Sequence, residues 1–191
     1  MAPRCCAVAF GQCPVARTRT RRDAAAVHIY LLRHGIAEDG GPMLADHARA
    51  LTEEGWKRLR KAASAWRRLV PPPDLVVVSP LRRARETAEV FVEAVGFRGE
   101  VRVEEALLPH GASSVALSLL EAESLSQTGA VAMIGHEPHL GYLLGALLTG
   151  HPRQSVPLKK GMLVAVETES AASMVGSLRF AIGQKVAGDL T

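Results

Sequence analysis

From Val27 onward, short apolar runs alternate with stretches of helical periodicity. Val27–Leu32, Leu75–Val78 and Ala130–Ile134 are nearly continuous in apolar residues. Such runs suit strands buried on both faces of a parallel sheet. Val101–Val103 reads as a weaker strand, and Leu163–Val166 and Met174–Phe180 as two last ones, placed to form a hairpin. Between the first two runs, Trp56, Leu59, Ala63 and Trp66 recur at helical spacing. Thr52 is a suitable N-cap for that helix, Glu53 and Glu54 suit its first turn, and Pro71-Pro72-Pro73 stops it. Further helices are expected from Ser79 and Pro80 to about Val95, from Ser113 to about Leu125, and from Pro138 to about Leu148. Strands alternating with helices predict a three-layer α/β/α sandwich with a mostly parallel central sheet.

Three of the apolar runs end abruptly in polar residues. The first stops at Arg33-His34-Gly35, the second at Ser79-Pro80-Leu81-Arg82-Arg83-Ala84-Arg85-Glu86-Thr87, the third at Gly135-His136-Glu137-Pro138-His139. Open α/β sheets bind ligands beyond the carboxyl ends of their strands. These ends therefore deliver two histidines and several arginines to one crevice.

The chain has 191 residues and a formal net charge of +4. That charge lies in the first 26 residues, where Arg4, Arg17, Arg19, Arg21 and Arg22 face Asp23 alone. The rest is neutral, so no basic face for nucleic acid is expected. Cys5, Cys6 and Cys13 lie in the same segment, which excludes a disulfide framework or a thiol nucleophile in the body of the chain. The absence of an extended apolar stretch argues against a membrane span, and the cysteine usage fits the cytoplasm. The chain thus divides into a tail, 1–26, and one domain, 27–191. The tail reads as disordered or as an over-extended start. Its arginines also admit a targeting role, although it lacks serine and amphipathic periodicity.

Arginine forks bind phosphate in bidentate geometry, and a histidine among them can attack phosphorus and hold the phosphoryl group on nitrogen. His34 and His136 have that company. Successive helical positions differ by about 100°, so only one or two of Arg82, Arg83 and Arg85 can face the crevice. Ser79 is either a plain helix cap or part of a phosphate site made by free helix amides. His136 and His139 are spaced to invite a metal, but no third ligand completes a set, and none is expected.

Arg33-His34-Gly35, the segment from Ser79 to Ala88 and Gly135-His136-Glu137-Pro138-His139-Leu140-Gly141 together resemble the histidine phosphatase superfamily. The short form is similar to its phosphohistidine phosphatases of the SixA type, which Leu51-Thr52-Glu53-Glu54-Gly55 and Leu158-Lys159-Lys160-Gly161 also fit. The resemblance runs from about Val27 to the C-terminus. It implies that His34 is the nucleophile, that Arg33 and Arg83 bind the phosphoryl oxygens, that His136 donates to the same oxygens, and that no cofactor is needed.

One departure is informative. Relatives acting on phosphomonoesters place an acid after the third strand, where this chain reads Val103-Glu104-Glu105-Ala106-Leu107-Leu108-Pro109-His110-Gly111. Glu105 lies slightly upstream and is the substitute candidate. A general acid is worth about 10²–10⁴ in rate. An alkoxide leaving group needs it, whereas an imidazole protonated on its other nitrogen leaves neutral. Short segments between the strands leave no room for a lid. The expected activity is therefore dephosphorylation of phosphohistidine in a protein partner, with a small phosphorylated substrate as the enzymatic alternative and an inactive phosphate-binding module as the other. The sequence does not fix the oligomeric state.

Overall fold

The computed structural model describes residues 26–190 apart from 43, 126–128 and 171–172. The tail expected over 1–26 thus falls, but for its last residue, outside the described residues. Strands β1 (His28–Arg33), β2 (Leu75–Val78), β3 (Val101–Val103), β4 (Ala130–Gly135), β5 (Leu163–Ser170) and β6 (Ser173–Ile182) form one sheet in the order β3-β2-β4-β1-β5-β6. The first four are mutually parallel; β5 runs antiparallel to β1 and β6 antiparallel to β5. Among the described residues the helices are α1 (Glu53–Leu69), α2 (Arg82–Val95), α3 (Ser113–Leu125), α4 (His139–Thr149) and α5 (Gln184–Asp189), with 3-10 turns at Asp46–Ala48 and Glu105–Leu107.

The period-2 geometry of the strands divides their side chains between two cores. Tyr30, Leu32, Val76, Val78, Ala132 and Ile134 pack with Leu59, Trp66, Ala88 and Phe91 of α1 and α2. Ile29, Leu31, Val77, Val131 and Met133 pack with Leu120, Leu140, Leu143 and Leu147 of α3 and α4. These are the three expected layers, with the sheet in the middle. Trp66 and Phe91 anchor the first core with ring centroids 6.0 Å apart, a contact worth about 0.5–1.5 kcal/mol beyond buried area.

The helix signals work locally. The Thr52 hydroxyl accepts from the Gly55 N–H at 3.0 Å and caps α1. Gly55 is needed there because a Cβ would lie 2.1 Å from the Ile36 carbonyl oxygen. The start of α1 is thereby clamped to the chain leaving β1. Two elements differ from expectation. Helix α2 begins at Arg82, with Leu81 as its N-cap, so Ser79 and Pro80 belong to the turn before it. The six-residue α5 carries too short a pattern to show helical period in sequence.

Candidate active site

Backbone pairing continues one residue past the strand ends, and this fixes the site. His34 N–H donates to the Gly135 carbonyl at 3.0 Å, and Ser79 N–H to the Ile134 carbonyl at 3.0 Å. His34 follows β1, His136 follows β4 and Ser79 follows β2, so three adjacent parallel strands deliver them to one end of the sheet. Two further ties hold the turn after β1. The Thr87 hydroxyl accepts from Gly35 N–H at 3.1 Å and donates to the Arg83 carbonyl at 2.7 Å, joining the His34 turn to the helix that carries Arg83. Gly161 N–H donates to the Arg33 and His34 carbonyls at 3.1 and 3.0 Å. Gly161 can do so because it adopts φ +67°.

A cavity of about 370 Å3 opens at this end, lined by Arg33, His34, Arg83 and His136 together with Asp46, Arg49, Pro109, His110, Glu137 and Lys160. The His34 and His136 rings lie with centroids 5.0 Å apart. His34 Nδ1 is 2.7 Å from the Gly35 carbonyl oxygen. A carbonyl only accepts, so Nδ1 carries the proton and Nε2 keeps a free lone pair. Ser79 Oγ lies 2.8 Å from His136 Nε2, which leaves the buried His136 Nδ1 without a hydrogen-bond partner. The Nε groups of Arg33 and Arg83 are likewise buried and unpartnered. Each guanidinium is anchored elsewhere: Arg33 Nη1 donates to the Leu158 carbonyl at 2.7 Å, and Arg83 Nη1 to the Asp46 carbonyl at 2.8 Å. Buried N–H groups left open beside a cavity are set to receive an acceptor.

Burial pushes the His34 pKa down from 6.5 to about 4; the Gly35 carbonyl opposes the shift, and Arg83, Arg33 and Lys160 reinforce it. His136 is also lowered, first by burial, then by His34 and Arg83, with Asp46 opposing. Both imidazoles are therefore neutral near pH 7. Burial raises the Asp46 pKa, but hydrogen bonds from Arg83 and Arg49 outweigh it and hold the carboxyl below its ordinary value.

Of the residues singled out in sequence, Arg33, His34, Arg83 and His136 line the cavity. Among the three arginines Arg83 alone is buried; Arg82 and Arg85 are exposed, and Arg82 pairs with Glu86 at 2.8 Å. Ser79 is fully buried and does not line the cavity, so it stands behind His136 instead of offering a helix-terminal phosphate site. Glu105 is exposed on its 3-10 turn and does not line the cavity; Pro109 and His110 of the same segment do. His139 is buried on α4, and among the described residues no group of three His, Cys, Asp or Glu is placed to hold a metal. Asp46, Arg49, His110 and Glu137 went unassigned in sequence; Lys160 lay in a segment noted only for its resemblance.

The model of the histidine phosphatase superfamily (branch 1) matches residues 29–108. An uncharacterized protein of Picosynechococcus sp. is 30% identical over 145 residues, covering 76% of this chain and 87% of that one. The phosphohistidine phosphatase SixA of Escherichia coli is 27% identical over 124 residues, 65% of this chain and 76% of that protein. The chain belongs to the histidine phosphatase superfamily and is a hydrolase of the phosphatase class. Its fold superposes on the protein histidine phosphatase SixA complexed with tungstate at a TM-score of 0.76, with 23% identity, covering 86% of this chain and 100% of that one. A mycobacterial glucosyl-3-phosphoglycerate phosphatase shares the fold at a TM-score of 0.57 and 18% identity, covering 81% of this chain and 97% of that one. Among the described residues no helix is long and apolar enough to cross a membrane.

Proposed function

We propose that this chain dephosphorylates phosphohistidine in a protein partner, through a phosphohistidine formed on its own His34. The observation that carries this reading is the pair of histidines, 5.0 Å apart, that line one cavity with two arginines whose buried Nε groups are unpartnered. His34 Nε2 attacks phosphorus while Nδ1–H stays on the Gly35 carbonyl. Arg33 and Arg83 hold the phosphoryl oxygens. His136, oriented by Ser79, donates to an oxygen as charge gathers in the transition state. The guanidinium charges offset the phosphoryl charge, so the proposed reaction needs no metal.

The leaving group favours phosphohistidine over a phosphate ester. Glu105 is outside the cavity, and Asp46 is held in the ionised form and has no proton to give. Imidazole departs without one. The exposed His110 and Lys160 and the half-buried Arg49 that line the cavity suit a phosphorylated side chain presented by another protein. SixA's name points to the same class of substrate, whereas the mycobacterial fold neighbour is named for a small phosphorylated substrate. Phosphate release from a phosphohistidine peptide, an aryl phosphate and an alkyl phosphate separates the readings. Rapid turnover of the first two, slow turnover of the third, insensitivity to a chelator and label trapped on His34 are expected. Efficient turnover of a sugar phosphate would move the choice to a small-molecule phosphatase, and no turnover of any to a phosphate-binding module.

A further inference from the structure

Resting on the reading just given, the second half of the reaction lacks an assigned group. Once His34 carries the phosphoryl group, water must attack phosphorus, and a water proton must leave. The carboxylates lining the cavity are Asp46 and Glu137. Glu137 is tied down: its Oε1 accepts from Leu158 N–H at 3.0 Å, bracing the strap that anchors Arg33. Asp46 is placed differently. It opens the 3-10 turn Asp46–Ala48, and its side chain is 56% exposed. Its Oδ2 takes an N–H from Arg83 Nη2 at 3.1 Å and its Oδ1 one from Arg49 Nη1 at 2.8 Å. A carboxylate offers about four acceptor sites, so two remain open toward solvent after both bonds are made.

Arg83 sets the distance scale. Its Nη1 and Nη2 are held by the Asp46 carbonyl and carboxylate, while its Nε is open beside the cavity. A phosphoryl oxygen accepting from Arg83 Nε–H would share that guanidinium with the Asp46 carboxylate held on Nη2. We propose that Asp46 is the base that positions and deprotonates the water which hydrolyses phospho-His34. In that step the water oxygen forms a bond to phosphorus and its proton passes to an Asp46 carboxylate oxygen. The P–Nε2 bond breaks and its electron pair returns to Nε2, leaving His34 neutral with its proton still on Nδ1. Asp46 then returns the proton to solvent. Asp46 lines the cavity itself, beside the Arg83 that it holds. His110 is the rival, since it lines the same cavity.

The experiment is rapid-mix kinetics on the full chain, with an aryl phosphate, of Asp46→Asn and His110→Gln. The asparagine variant keeps a carbonyl oxygen for Arg83 or Arg49. The expected result for Asp46→Asn is a burst of aryl alcohol at a rate within about threefold of the native enzyme, followed by steady turnover slower by about 10²-fold. Phosphoenzyme should then accumulate toward one per chain, on His34. His110→Gln, whatever it does to substrate binding at the rim, should trap no phosphoenzyme. Burst and steady rate falling together in Asp46→Asn would make Asp46 a support for Arg83 only. Trapping by His110→Gln instead would assign the base to His110. Unchanged turnover in Asp46→Asn also overturns the proposal. Turnover that survives in His34→Asn overturns the His34 reading itself, and the role of Asp46 with it.

Discussion

The depressed pKa of His34 has a consequence for stability that can be measured apart from catalysis. In the unfolded chain the imidazole takes up a proton near its ordinary value of 6.5, whereas in the fold it does so only at about 4. Between those values the unfolded state binds more protons, so stability falls as the pH falls. A tenfold difference in proton affinity is about 1.4 kcal/mol, so His34 alone removes roughly 3 kcal/mol of stability between pH 6.5 and pH 4. Below pH 4 both states are protonated and the loss stops. Against a typical stability of about 5–15 kcal/mol the change is readable. Urea denaturation at stepped pH from 7 to 4 should show the native protein losing roughly 3 kcal/mol more than His34→Asn. At pH 5 the folded His34 should be neutral in roughly 90% of molecules, against roughly 3% for an ordinary imidazole. NMR of the ring should confirm the neutral form. Parallel stability curves for the two proteins, with His34 titrating near 6.5, would refute the reasoning and remove burial as the device that keeps the proposed nucleophile unprotonated.

Three other outcomes follow from the same geometry. Ser79→Ala removes the hydrogen bond to His136 Nε2, and kcat should fall about tenfold with little change in KM, since one hydrogen bond is worth about 0.5–1.5 kcal/mol; a raised KM with kcat unchanged would show that Ser79 acts on binding. Glu105→Gln should leave turnover of aryl and phosphohistidine substrates unchanged, because the side chain is exposed and outside the cavity; a loss of about 10²-fold on alkyl phosphates would return it to the role of acid. Gly161→Ala forces a side chain into φ +67°, with Cβ 2.3 Å from Gln184 Oε1, and the urea midpoint should drop by the equivalent of about 1–3 kcal/mol; an unchanged midpoint would show that the turn relaxes freely.

What the sequence revealed depended on how local each signal is. β1, β2 and β4 are the sheet's inner parallel strands, so they read as unbroken apolar runs, and Arg33, His34 and His136 sit at their ends where polarity returns. Choosing among Arg82, Arg83 and Arg85 needed the phase of α2, which the later start at Arg82 sets: Arg83 faces inward with Ala84, Thr87 and Ala88. Ser79 looked like a helix cap because its useful partner, His136, lies 57 residues away. Asp46 gave no signal. It sits in a loop with no period, held by an arginine 37 residues on and by Arg49, which in turn bonds the Glu38 carbonyl at 2.7 Å. Contacts of that range belong to the fold, and no spacing rule reaches them.

The departure noted after the third strand gains force from where the cavity carboxylates lie. On the proposed reading, transfer of a phosphoryl group from a substrate imidazole to His34 exchanges one P–N bond for another. Neither nitrogen needs a proton from the protein, because each ring already carries one on its other nitrogen; for His34 that proton is fixed on the Gly35 carbonyl. An acid would gain nothing in this half-reaction. Hydrolysis of phospho-His34 is different, because water is a weak nucleophile until its proton has somewhere to go. A carboxylate held ionised by two arginines is useless as an acid and available as a proton acceptor. On the proposed reading, the fold has therefore placed its carboxylate for the one step that needs it. A phosphate ester would reverse that demand: its first step would stall for want of a proton while its second ran unimpeded. The size of the burst against the steady rate, compared between a phosphohistidine and an alkyl phosphate, thus reports directly which bond this site was built to break.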